Sequence, residues 1–174
     1  MRRIFITGFC AMLFMASACN QPAANQSTEN LTDTAAQANA ALPDKDNVSQ
    51  ILTSYISLKN ELVKSDAAAG KKAAANLEDE LIEVKGCAEA ATMARMIAAS
   101  DNIEEQRKAF LTLSKDIIPL AKGMKQDKPM YVAFCPMAND GKGGFWLSEF
   151  EDIKNPYYGD AMLECGEVKE VLSK

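Results

Sequence analysis

The chain has 174 residues, 48% hydrophobic and 25% charged, which is the composition of a globular protein rather than of a disordered or collagen-like chain. It contains no histidine, which excludes Ser-His-Asp and Cys-His nucleophile pairs, the zinc-protease helix and every imidazole metal site. With 24 acidic against 19 basic residues and no basic stripe to meet phosphates, nucleic acid is not an expected partner.

Arg2 and Arg3 precede an apolar run from Ile4 to Ala16. A charged start and a short apolar middle are the marks of a secretory signal, and the run is too short to cross a bilayer as a permanent helix. It ends in Ala16-Ser17-Ala18-Cys19, which resembles a bacterial lipobox. Residues 1–18 are therefore read as a lipoprotein signal peptide and Cys19 as the lipid attachment residue, giving a membrane partner through the anchor. The plainer alternative is an ordinary small-residue cleavage site with Cys19 incidental. Asn20-Gln21-Pro22 lacks an acidic run of the kind that resembles a surface-export tag, so the expected location is the periplasmic side of the cell envelope.

Residues 19–44 are rich in Ala, Asn, Gln, Ser and Thr, with Leu31 and Leu42 as their large apolar residues. Such a segment buries too little surface to offset the entropy of folding and reads as a flexible tether. Its root-mean-square span is about 27 Å, and about 80 Å when taut.

From residue 45 the apolar spacing becomes helical. Ile51, Tyr55, Leu58 and Leu62 form one buried face, and Ser65 or Asp66 caps a second helix with an inward stripe of Gly70, Ala74, Leu77, Leu81 and Val84. The small residues at its start permit close approach to a neighbour. Gly86 ends that helix, Cys87 to Ala99 forms a third, and Asp101 with Glu104 reads as the capping box of a fourth. The fourth carries Ile103, Arg107, Phe110, Ser114, Ile117 and Ala121 inward, and Pro119 is expected to kink it.

After Lys128 the pattern changes. Met130 to Cys135 alternates with period two, and the Asn139–Gly144 turn leads into Phe145-Trp146-Leu147, which predicts a β-hairpin. Asn155 to Gly159 is a second turn, followed by one helical turn from Asp160 to Cys165 that Gly166 stops. The expected fold is mainly α: an antiparallel four-helix bundle over 45–174, capped over 129–174 by a small C-terminal β-hairpin and a helical turn.

Two soft pairs stand out in this cap. Cys135 and Met137 share a face if the strand continues through them, and Met162 and Cys165 share a face of a helical turn. Thiolate and thioether sulfur select Cu(I) over magnesium, calcium or manganese, and the missing imidazole disfavours Cu(II) and nickel. A Cu(I) site of Cys135, Met137, Met162 and Cys165 is one reading. A second is a Cys135–Cys165 disulfide stapling the hairpin to the last turn in an oxidising compartment, and a third makes one of the two a reactive thiol, which the absence of a Cys-x-x-Cys and of any histidine to lower a thiol pKa disfavours. Neither the carboxylate run at 149–152 nor that at 78–80 makes a defined acid–base pair, so no catalytic set is expected and the protein is read as a non-enzyme. Trp146, Tyr157 and Tyr158 are candidates for an exposed aromatic patch that docks an envelope partner.

Cys135-Pro136-Met137, Trp146-Leu147-Ser148, Asn155-Pro156-Tyr157-Tyr158-Gly159 and Met162-Leu163 with Cys165-Gly166 together resemble the signature of the domain-of-unknown-function 3347 family. Tyr55, Leu58, Leu62 and Asp66, with Gln106, Arg107, Phe110 and Ser114, are similar to that family in the helical part, over about Val48 to Leu172. The resemblance implies kinship with a family found mainly in Bacteroidetes envelope proteins, with related domains at the C-terminal end of periplasmic adaptor subunits of heavy-metal efflux pumps. The resemblance implies a copper or heavy-metal context with efflux components as partners, and shifts the preference from the disulfide to soft-metal binding. The adaptors' long coiled hairpin and β-rich domains have no counterpart here, so it implies a freestanding accessory rather than an adaptor.

Overall fold

The computed structural model describes residues 45–125 and 127–173. The expected signal peptide 1–18, lipid attachment residue Cys19 and tether 19–44 lie outside the described residues. Helices α1 (Lys45–Val63), α2 (Ala67–Ile82), α3 (Ala88–Ala99) and α4 (Ile103–Lys122) follow one another with short connections, each packed on the next. The chain then forms β1 (Met130–Cys135), a short turn of helix α5 (Ala138–Gly141), β2 (Gly144–Ser148), a 3-10 turn (Gly159–Met162) and β3 (Glu167–Leu172). Among the described residues no helix is long and apolar enough to cross a membrane.

The helical stripes are the predicted ones except that Val84 lies beyond the end of α2 and Ile103 of α4 is only half-buried. Ile51, Tyr55, Leu58 and Leu62 of α1 are fully buried, as are Ala74, Leu77 and Leu81 of α2 and Phe110, Ser114, Ile117 and Ala121 of α4. Asp66 caps α2 by accepting from the Ala69 N–H. A Cβ on Gly70 would come within 2.9 Å of Gln106 Oε1, so the missing side chain is what lets α2 and α4 approach. Gln106, itself buried, donates from Nε2 to the carbonyls of Ala67 and Ser100. One side chain thus ties the start of α2 and the end of α3 to α4.

Two helix-end expectations are corrected. The N-cap of α4 is Asn102, not Asp101: Asn102 Oδ1 accepts from the Glu104 and Glu105 N–H groups. Asp101 is drawn away by Lys71, whose ammonium lies 2.6 Å from its carboxylate. Helix α2 stops at Ile82, well before Gly86, and Pro119 lies inside α4, which runs on to Lys122, with the Gly123 N–H donating to the Pro119 carbonyl.

The cap is a three-stranded antiparallel sheet in the order β2-β1-β3 rather than a hairpin alone. In β1 and β2, Cys135 faces Gly144 and Ala133 faces Trp146. On the other side Met130 faces Leu172 and Phe134 faces Glu167, with a bulge at Val132/Ala133. Bundle and sheet share one core through a column of rings. Tyr55 stacks on Phe110 at 5.1 Å, Phe110 meets Tyr157 at 5.9 Å, and Tyr157 meets the edge of Trp146 at 5.8 Å. Each such contact adds about 0.5–1.5 kcal/mol beyond burial alone. The buried Tyr55 hydroxyl pairs with Ser114 Oγ at 2.7 Å and accepts the Leu147 N–H, joining α1, α4 and β2.

Cys87, at the N-cap of α3, is buried, and burial followed by the Asp116 carboxylate pushes its thiol up. Asp116 is pushed up too, first by burial and then by Glu89, against the pull of Lys115, and its Oδ2 is buried without a hydrogen-bond partner. A carboxyl whose folded pKa is raised holds its proton more tightly when folded, so its contribution to stability is lost as pH rises through that value. Asp116→Asn is therefore expected to raise the urea midpoint at pH 7 and to change it little near pH 3. Equal midpoints at pH 7 would contradict this.

Candidate functional site

Cys135 is the last residue of the central strand β1 and has no exposed surface. Cys165 is half-buried and lies on the loop that runs from the 3-10 turn to β3. The chain brings these two thiols together across thirty residues, with the Sγ atoms 2.9 Å apart and both cysteines free. Gly144 stands opposite Cys135, and a Cβ there would fall 2.6 Å from Leu111 and 2.7 Å from the Tyr157 ring. Beside Cys165, Gly166 takes a positive φ of 147°. A Cβ at this position would meet the Phe134 carbonyl and the Trp146 ring, each at 2.9 Å. Glycine at both places lets backbone close around the sulfurs.

The loop carrying Cys165 is pinned from inside by Asn155, whose side chain is fully buried. Its Nδ2 donates to the Cys165 carbonyl at 2.9 Å, and its Oδ1 accepts the Tyr157 N–H at 2.9 Å. Its own N–H donates to Leu163 and its carbonyl accepts from Gly159. Outside the loop, Arg107 of α4 donates to the carbonyls of Pro156 and Leu62 and to Ser65 Oγ, fastening the loop to the α1–α2 corner. Tyr158 donates its hydroxyl to the Met137 carbonyl at 2.6 Å, closing the loop over the Cys135-Pro136-Met137 turn.

The thiol of Cys165 is pushed up chiefly by its hydrogen bond with Cys135, then by burial and by the Cys135 charge; the Met137 backbone N–H pulls the other way. Of the two sulfurs, that of Cys135 is sealed and that of Cys165 is the more exposed. Two thiolates are a soft donor pair, and a metal with bonds of about 2.3 Å at tetrahedral angles needs them about 3.8 Å apart. The observed separation is about 0.9 Å shorter than that, and about 0.9 Å longer than a disulfide bond. Small side-chain rotations serve either outcome. Among the described residues no group of three or more His, Cys, Asp and Glu side chains is placed to hold a metal. Any ion here would rest on the two cysteines, with a thioether or an outside donor completing its shell.

The other predicted residues fall differently. Met137 is 53% exposed, and β1 ends before it, so the strand face it was expected to share with Cys135 does not extend that far. Met162 is half-buried at the end of the 3-10 turn, which stops short of Cys165. The aromatic patch is corrected: Trp146 and Tyr157 are core residues and Tyr158 is half-buried with its hydroxyl engaged, so the three rings present no docking surface. Asn155 and Arg107 were not anticipated as positioning residues. An Asn-Pro turn and a lone arginine on an otherwise apolar helix face were the signals available.

Residues 51–129 match the family model described as Protein of unknown function (DUF3347). Over that span the chain is similar to this family. The DUF3347 match covers most of α1 and all of α2, α3 and α4, and ends one residue before β1, so Cys135, Met137, Met162 and Cys165 lie beyond it. Neither a curated protein nor a solved structure matches the chain.

Proposed function

We propose that this protein is a non-catalytic, lipid-anchored accessory of the cell envelope, on its periplasmic side, that binds a soft metal ion, Cu(I), in heavy-metal handling alongside efflux components. The observation that carries the reading is the pair of free thiols, Cys135 and Cys165, at 2.9 Å in a chain without histidine. Both thiolates act as principal ligands, and Met162, half-buried three residues before Cys165, is the better shielded thioether; Met137, 53% exposed, would have to turn inward to join them.

Anaerobic titration of the reduced protein with Cu(I) against a competing chelator tests this. Trp146, the sole tryptophan, packs against Gly166 next to Cys165 and should report binding by a change in its fluorescence. Cys135→Ser or Cys165→Ser is expected to weaken binding at least about a hundredfold and Met162→Leu by about tenfold. Binding that survives both cysteine substitutions unchanged would sink the site. The same short separation favours a second reading, a purely structural disulfide, which would leave the reduced protein without Cu(I) affinity. The anchor is tested separately: a Cys19→Ala protein should leave the membrane fraction, and persistence there after a carbonate wash would remove the lipoprotein assignment.

A further inference from the structure

Resting on that metal-binding reading, we propose that Cys165 is a thiol–disulfide exchange site for a small external disulfide and that Cys135 is its resolving thiol, so that oxidation of the pair expels the bound ion. The division of labour follows from burial. Cys135 lies at the end of the central strand, flanked by β2 and by the loop before β3, with no exposed surface. Cys165 is half-buried on a surface loop, 2.9 Å from it. An outside disulfide reaches one of these sulfurs directly and the other only through it.

The reaction runs in two balanced steps. The Cys165 thiol gives its proton to solvent, and its sulfur attacks one sulfur of the external disulfide. A mixed disulfide forms, the external S–S bond breaks, and the departing thiolate takes up a proton. Cys135 then loses its proton and attacks the Cys165 sulfur. The Cys135–Cys165 bond forms, the mixed disulfide breaks, and the second external thiolate leaves and is protonated. Two protein thiols are oxidised and one external disulfide is reduced to two thiols, with protons conserved.

Attack in the second step needs little motion, since the two sulfurs are about 0.9 Å from bonding distance. Metal and disulfide compete for the same atoms. A disulfide has no thiolate left to donate, and a metal-bound pair has no free sulfur to attack.

The test treats the reduced full chain, in detergent, with oxidised glutathione and follows it by intact-mass spectrometry and peptide mapping. The wild type is expected to lose two hydrogens at the Cys135–Cys165 pair with no lasting adduct there. Cys135→Ser should accumulate one glutathione on Cys165. Cys165→Ser should acquire it on Cys135 at least about tenfold more slowly, because that sulfur is sealed. Equal rates at the two sulfurs would overturn the assignment. Since a serine variant could lose its fold, alkylation of the native wild type by iodoacetamide gives an independent reading: Cys165 must label before Cys135, and the reverse order overturns the proposal. Cu(I) titration before and after oxidation separates the two readings. A reduced protein that binds no Cu(I) but exchanges in this order refutes the metal reading and the gating while leaving the exchange site. An oxidised protein that keeps its Cu(I) affinity refutes the gating alone.

Discussion

Arg107→Met is expected to destabilise the protein by about 2–5 kcal/mol and to loosen the loop that carries Cys165. The guanidinium is nearly buried, and it donates to the Leu62 carbonyl at 3.2 Å, the Pro156 carbonyl at 3.0 Å and Ser65 Oγ at 2.8 Å. Methionine fills much of the same volume but supplies no donor. The buried Pro156 carbonyl then loses its partner, an orphan that costs about 1–3 kcal/mol, while Ser65 Oγ and the Leu62 carbonyl, which keeps the Ser65 N–H, each lose a charge-assisted hydrogen bond. The ion pair with Glu104 contributes little to this sum, because that carboxylate is 69% exposed and its attraction is screened. Glu104→Gln should accordingly cost under about 1 kcal/mol. The corner offers no room for rearrangement. Gly159 has a φ of +56°, and a Cβ there would sit 2.5 Å from Ser65 Oγ and 2.7 Å from Arg107 Nη2. Urea unfolding gives the stability change, and amide exchange should show protection falling first around residues 155–165. A loss below about 1 kcal/mol for Arg107→Met would show that the Pro156 carbonyl finds water instead.

The parts of this structure legible in the sequence are those whose residues face a common core at a fixed period. Ile51, Tyr55, Leu58 and Leu62 announce α1 because each turn of helix returns to the same side. Met130 to Cys135 announces β1 for the analogous reason, and the Asn139–Gly144 turn places β2. Strand β3 was hidden because Glu167–Leu172 buries little beyond Leu172. An edge strand held by backbone pairing to β1 carries no apolar alternation to read. The aromatic residues of the cap misled for a different reason. Their chemistry suits an exposed patch, and only the packing of α4 against β2, through Phe110 and Tyr157, turns Tyr157 and Trp146 into core.

In the candidate site the sequence offered four sulfurs, and the fold brings two together. The strand ends at Cys135, and after Pro136 the chain bends into a turn where Asn139 and Asp140 take left-handed φ values of 55°. The period that would have carried the Met137 side chain inward therefore lapses one residue too early. Asn155 could not be recognised as the organiser of the second half of the site, since its partners are backbone atoms of its own loop. Side chains that serve the backbone leave no periodic trace.

Asn155→Ala is expected to lower stability by about 2–4 kcal/mol and to weaken Cu(I) binding about tenfold, while the four-helix spectrum survives. Alanine leaves the Cys165 carbonyl and the Tyr157 N–H, both now satisfied at 2.9 Å, without partners, and each orphan costs about 1–3 kcal/mol. The lost bond to Cys165 also frees the backbone that aims its sulfur at Cys135. Cys135 itself stays fixed by β1, so the pair opens from one side, and an ion held by two thiolates is sensitive to their spacing. Asn155→Asp separates position from packing. It keeps an acceptor for Tyr157 but turns a carboxylate toward the Cys165 carbonyl, so it should weaken Cu(I) binding at least as much as alanine does. Urea unfolding and chelator competition, run on the same preparations, give the two numbers independently. A stability loss with unchanged Cu(I) affinity would make Asn155 a structural clamp only, whereas a larger loss of affinity than a comparably destabilised Arg107→Met protein shows would establish that Asn155 sets the sulfur–sulfur spacing.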